Sequence, residues 1–150
     1  MDPSDEHVVR LTRVLHASPD DVFSAWTEPA LLERWWADVG GWVEAKADVD
    51  LKVGGAYHLS MRDESGALDG VLGAYTEVAR PERLAFTWTW ANEPSVMRGS
   101  EGSLVEVVLR KASGGTQLTL THGGFESKVV RDLHEDGWNA LLTSLFGFLS

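Results

Sequence analysis

The sequence predicts an α+β fold, in which an antiparallel sheet of about six or seven strands is covered on one face by a long C-terminal helix. Three observations carry this. Between Trp42 and His122 apolar and polar side chains alternate in short runs separated by turn residues, the period of half-buried strands. From near Val129 onward the apolar residues recur at helical spacing instead. Ahead of both, a β-branched run passes into a Ser-Pro-Asp helix start. Strands joined by hairpins and followed by a helix place that helix on one sheet face.

Val8 to His16 is rich in β-branched and aliphatic residues and predicts the first strand. Ser18-Pro19-Asp20 offers a cap followed by proline in the first helical turn. Val22, Phe23 and Trp26 then make one short helical stripe, Pro29 interrupts it, and Leu31, Leu32, Trp35 and Trp36 make a second. Asp48 to Val53, Gly54-Gly55 and Ala56 to Arg62 predict a strand, a bend or bulge, and another strand, with Asp63 to Gly66 turning the chain. Leu68 to Ala79 is the next strand, ended by Arg80-Pro81-Glu82. Leu84, Phe86, Trp88 and Trp90 alternate with Ala85, Thr87 and Thr89, so four large apolar side chains share one face. Ser103 to Lys111 and Thr116 to His122 flank Ala112-Ser113-Gly114-Gly115 as a hairpin, with Leu118, Leu120 and His122 on one side of its second arm. In the last helix His134, Trp138, Leu141, Leu142, Leu145, Phe148 and Leu149 fall on one broad stripe.

Composition narrows the function. The 150 residues hold 13 Lys+Arg against 23 Asp+Glu, a formal charge of −10, so no cationic face is on offer for nucleic acid phosphates or an anionic membrane. With no cysteine, disulfides, thiol catalysis and thiolate metal sites are excluded together. No apolar run approaches the ~18 residues of a membrane span. The first six residues are acidic and polar where a secretory signal would be basic and then apolar. Residues 1–7 are therefore expected to be a disordered tail, residues 8–150 a single domain, and the protein cytoplasmic.

Several stretches resemble a known family: Ala17-Ser18-Pro19-Asp20-Asp21-Val22-Phe23-Ser24-Ala25-Trp26-Thr27, Leu32 with Trp35-Trp36, Asp50-Leu51 with Val53-Gly54-Gly55 and Tyr57, and Arg83-Leu84 with Phe86-Thr87-Trp88. Leu118 to His122 with Gly124-Phe125, and Gly137-Trp138, continue the pattern. Over roughly residues 8 to 149 the chain is similar to the activator-of-Hsp90-ATPase-like branch of the START/polyketide-cyclase (SRPBCC, Bet v-like) superfamily. The resemblance implies a helix-grip fold, a curved antiparallel sheet wrapped around the C-terminal helix with a cavity between them. It also implies three activities: binding of small apolar molecules, cofactor-free cyclase or dehydratase chemistry, and activation of a heat-shock ATPase. His122 is followed by Gly123, where relatives often carry an acidic residue.

Of the seven tryptophans, Trp35, Trp36, Trp42, Trp88, Trp90 and Trp138 sit on elements that would bound such a cavity. They either fill the core or line an apolar pocket, and Leu142 shares the helical stripe facing them. His122 shares a face with two leucines, which calls for a partner or a neutral ring; failing that it is the best acid/base candidate. Tyr57 and Met61 lie on one face of their strand and His58 and Arg62 on the other; Tyr57 is expected either to pack in the core or to meet the cavity, its hydroxyl orienting a ligand carbonyl. The five histidines show no His-Glu-x-x-His and no close pair, so no metal is expected. No Gly-x-Ser-x-Gly and no Gly-x-Gly-x-x-Gly occurs. The reading that results is a cofactor-free protein holding a small hydrophobic, apolar or aromatic molecule. The alternatives are an enzyme that uses His122 and Tyr57 with Arg62 or Glu44, and a co-chaperone. A homodimer is left open, since no surface pattern decides it.

Overall fold

The computed structural model describes residues 7–37, 39, 41–92 and 99–150. Apart from His7, the expected N-terminal tail lies outside them. In chain order the elements are β1 (Val8–Leu15), α1 (Pro19–Thr27), α2 (Pro29–Trp36), β2 (Trp42–Val49), β3 (Ala56–Asp63), β4 (Leu68–Ala79), β5 (Arg83–Trp90), β6 (Ser103–Ala112), β7 (Gly115–Gly123) and α3 (Lys128–Phe148). The seven strands form one antiparallel sheet in the order β1-β7-β6-β5-β4-β3-β2, so β1 and β2 are its edges. This is the helix-grip arrangement, with α3 held in the concave face of a curled half-barrel.

Local chemistry explains the helix starts. The Ser18 hydroxyl accepts the Asp21 N–H and Pro19 opens α1, while the Ser127 hydroxyl accepts the Val130 N–H at the start of α3. The buried stripe of α3, Val130, His134, Trp138, Leu141, Leu142 and Leu145, follows the helical period. Both sheet edges are covered by helices. Glu33 of α2 accepts the free Ala47 N–H of β2 at 2.9 Å, and Arg131 of α3 donates to the Val8 carbonyl of β1 at 3.0 Å.

One strand is displaced from its expected place. The sequence puts a strand over Asp48 to Val53, whereas β2 ends at Val49 and residues 50–55 form a tight loop. The Asp50 N–H bonds the Ala56 carbonyl at 3.0 Å, and the Gly55 N–H bonds Lys52 at 2.8 Å. A Cβ on Gly55 would lie 2.0 Å from the Asp50 oxygen. The glycine pair therefore marks the crossing of a turn rather than a bulge between two strands. The β6–β7 hairpin is also tighter than expected, closing on the pair Ala112–Gly115 around Ser113-Gly114.

Candidate functional site

Three elements bring indoles to one place. On β5 the two-residue period puts Trp88 and Trp90 side by side, ring centres 5.6 Å apart and nearly perpendicular at 88°. Trp36 ends α2, and Trp138 projects from α3 at 5.9 Å and 90° to it. These four rings border a cavity of about 130 Å³, whose wall is completed by Trp42 of β2, Met61 of β3 and the α3 residues Leu133, His134, Gly137 and Leu141, with Val39. Trp36, Met61, Trp88, His134 and Trp138 are buried and form its floor; Trp42, Trp90 and the exposed Gly137 form its mouth.

Trp42 reaches this wall because β2 is irregular. Ala45 and Ala47 are buried, so strict alternation would turn Val43 inward and Trp42 outward. A register shift against β3 between Trp42 and Glu44 inserts one residue, leaving Val43 exposed and pairing Trp42 with Asp63, which has the same parity as Met61. Gly137 leaves the helix side of the mouth open. A Cβ built there meets nothing within 4 Å.

Two histidines hold two of the indoles. The Trp138 N–H donates to His122 Nδ1 at 2.9 Å, so the imidazole proton sits on Nε2, which faces the Ser103 hydroxyl at 2.7 Å. The Trp90 N–H donates to His134 Nε2 at 3.1 Å, so there the proton sits on Nδ1, which donates to the Val130 carbonyl at 2.8 Å. The two rings are thus held as opposite tautomers, edge to face at 5.4 Å, with Phe125 tilted against both at 4.4 and 4.6 Å. Burial, and then the neighbouring His134, push His122 well below the ordinary value of 6.5. Burial lowers His134 too, partly offset by the Val130 carbonyl. Both are neutral at pH 7.

The Ser103–His122 contact has the length of a nucleophile–base pair but the opposite polarity. A general base must present a bare nitrogen to the serine hydroxyl, and here the Trp138 N–H commits the bare nitrogen elsewhere. His122 has no exposed surface and does not border the cavity.

The other residues singled out from the sequence divide cleanly. Trp36, Trp42, Trp88, Trp90 and Trp138 border the cavity, whereas Trp35, Tyr57, His122 and Leu142 do not. Trp35 donates its N–H to the Ala25 carbonyl at 2.9 Å, and Leu142 is fully buried. Tyr57 does face inward, but farther along the groove, where its hydroxyl donates to the Thr87 carbonyl at 2.6 Å and burial pushes its ionisation far up. Glu44 and Arg62 pair with each other at 2.8 Å on the opposite face of the sheet, and the guanidinium holds Glu44 below its ordinary range. Sequence reasoning missed Val39, Met61, Leu133, His134, Gly137 and Leu141 as wall residues. Met61 was legible as the same-face partner of Tyr57, and a helix-weakening glycine inside an apolar stripe was the signal for Gly137.

Among the described residues no three His, Asp or Glu side chains are grouped to hold a metal ion, and no helix is long and apolar enough to cross a membrane. The family of Activator of Hsp90 ATPase homolog 1-like proteins matches residues 16–150. Among solved structures, the chain is similar to protein CV1439 from Chromobacterium violaceum (25% identity, TM-score 0.76, covering 95% of this chain and 96% of that one). It is similar to protein NE0264 from Nitrosomonas europaea at 25% identity and TM-score 0.78, over 99% and 97% of the two chains. An AHSA1-like protein from Aeromonas hydrophila shares the fold at 24% identity and TM-score 0.76, over 94% and 90%. No curated protein matches the chain.

Proposed function

The chain belongs to the family of Activator of Hsp90 ATPase homolog 1-like proteins, and from that premise we propose that it binds a small, mainly apolar molecule in the cavity between its sheet and α3. One observation carries this reading. Five indoles surround a space instead of filling it, and the helix opposite presents a glycine at the mouth of that space.

The size of the space sets the size of the ligand. At about 130 Å³ it is smaller than the ~300–1,000 Å³ of most small-molecule sites and close to the ~150 Å³ that accommodates benzene in an apolar protein interior. The occupant is therefore a single ring or a short branched group. Affinity comes from apolar area removed from water, at roughly 25 cal/mol per Å².

Proton transfer by His122 fits less well. It would require the ring to release Trp138 or Ser103 and a substrate to reach a side chain with no exposed surface. Binding requires neither. Stimulation of a chaperone ATPase, named in the family's description, has no surface feature among the described residues to favour it.

Indole fluorescence tests the reading, because the ligand would touch the reporters. A library of single-ring compounds should contain members that change the emission saturably, and Gly137→Leu, which places a side chain in the mouth, should abolish the response while preserving the circular dichroism spectrum. An unchanged response in that variant, or none from the library with the wild-type chain, defeats the proposal.

A further inference from the structure

The donors and acceptors of the wall narrow the ligand further, on the premise that the cavity is a ligand site. Three indole N–H groups, those of Trp88, Trp90 and Trp138, meet around His122 and His134, and each imidazole offers a single bare nitrogen. Trp138 takes that of His122 and Trp90 that of His134, while the protonated nitrogens face Ser103 and the Val130 carbonyl. Trp88 lies against both imidazoles, ring centres 5.3 and 6.2 Å away, and its buried N–H is left with no partner. Trp36 and Trp42, also in the wall, likewise donate to nothing among the described residues. The one acceptor left on a described wall side chain is the weak thioether of Met61.

A wall with donors to spare and no strong acceptor selects among occupants. An indole N–H buried without an acceptor forfeits the hydrogen bond it makes in water. Water answers this poorly, because a buried water is held by roughly two to four polar partners and its own O–H groups would find none here. An alcohol or a phenol shares the defect, with one O–H unmet. A carboxylate supplies acceptors but buries a full charge with no lysine or arginine beside it, and it must approach a chain of charge −10. A carbonyl oxygen accepts without bringing a proton or a charge.

We propose that the ligand is a neutral carbonyl compound, a single ring or short branched chain whose ketone, aldehyde or ester oxygen accepts the Trp88 N–H. Trp88 is on the buried floor, so the bond turns the oxygen inward and leaves the hydrocarbon end toward the mouth at Gly137.

Cyclohexanone and methylenecyclohexane, which differ by oxygen for a methylene group, test this on the full chain with isotopically labelled tryptophan. In magnetic resonance spectra assigned through the backbone, the ketone should move the Trp88 indole proton downfield and the hydrocarbon should not. By calorimetry, Trp88→Phe should lower the ketone-to-hydrocarbon affinity ratio roughly two- to ten-fold, the loss of one hydrogen bond. Should that variant fail to fold by circular dichroism, the proton shift in the wild-type chain decides alone. Cyclohexanol and cyclohexanecarboxylate should both bind more weakly than the ketone. Tighter binding of either one, or a bound ketone that leaves the Trp88 proton in place, overturns the inference while sparing the binding reading. Binders from the single-ring library that all lack a carbonyl overturn it in the same way. Failure of these compounds and the library together overturns both.

Discussion

Two aromatic clusters lie along the same concave sheet face, and they are packed differently. Around Tyr57, Tyr75 and Phe86 the ring centres are 5.2 to 6.2 Å apart, Leu32 and Leu59 fill the gaps, and the remaining void is about 20 Å³, room for about one water. Around Trp36, Trp88 and Trp138 the rings are just as close, yet about 130 Å³ stays empty beside them. Trp36 borders both spaces. Aromatic content therefore does not separate a pocket from a core. Leucines stand at both ends, Leu32 and Leu59 at the packed one and Leu133 and Leu141 at the cavity; the difference is that the cavity end also has Gly137 and a bulge-reoriented Trp42, which leave it open.

If the cavity cluster is as rigid as its hydrogen bonds suggest, its floor should be costly to remove. Trp138→Ala deletes a buried indole and strips His122 of its donor, and should lower stability by about 3–5 kcal/mol in urea denaturation. A loss below about 1 kcal/mol would mean that the floor collapses readily and the contrast between the clusters is false.

Acid should act next, and on the cavity end alone. Both histidines are held below 6.5 in the fold, so as pH falls through that value the unfolded chain takes up protons first and folding stability drops. It should be fully present above about pH 6.5 and decline toward pH 5, with loss of any ligand response, since a protonated ring would set N–H against indole N–H. Glu44, Asp63 and Asp132, also held low, contribute only in the lower carboxylate range. His134→Gln should flatten the decline measured by denaturation at pH 7 and pH 5; an unaltered slope would assign the effect elsewhere.

Tyr57→Phe sharpens the comparison from the packed end. It removes the bond to Thr87, should cost about 1 kcal/mol, and should leave the cavity's ligand response unchanged. Altered ligand binding would show that the two clusters communicate through Trp36. The smallest effect is expected at Gly137→Ala, where an exposed mid-helix glycine gains a methyl in open space: up to about 1 kcal/mol of stabilisation, read as a rise in the denaturation midpoint.

Much of the site was visible residue by residue. The alternation on β5 put Trp88 and Trp90 on one face, and the helical period put His134 and Trp138 on one stripe. The inward turn of His122 followed from Leu118 and Leu120. Its partner did not, because Trp138 lies 16 residues away on another element and no local pattern reports which ring nitrogen meets it. Tyr57 shows the same limit: its inward direction was legible, but the position it occupies along the groove was not.

From the sequence alone came the order of the elements, the face each large side chain takes and the family, because periodicity and turn chemistry act over a few neighbouring residues. Tertiary structure alone decided the histidine tautomers, the reversal of the Ser103–His122 hydrogen bond, the inward turn of Trp42 and the space left under Gly137. Each of these depends on how far one element is displaced against another, and packing across the whole sheet and helix sets that displacement.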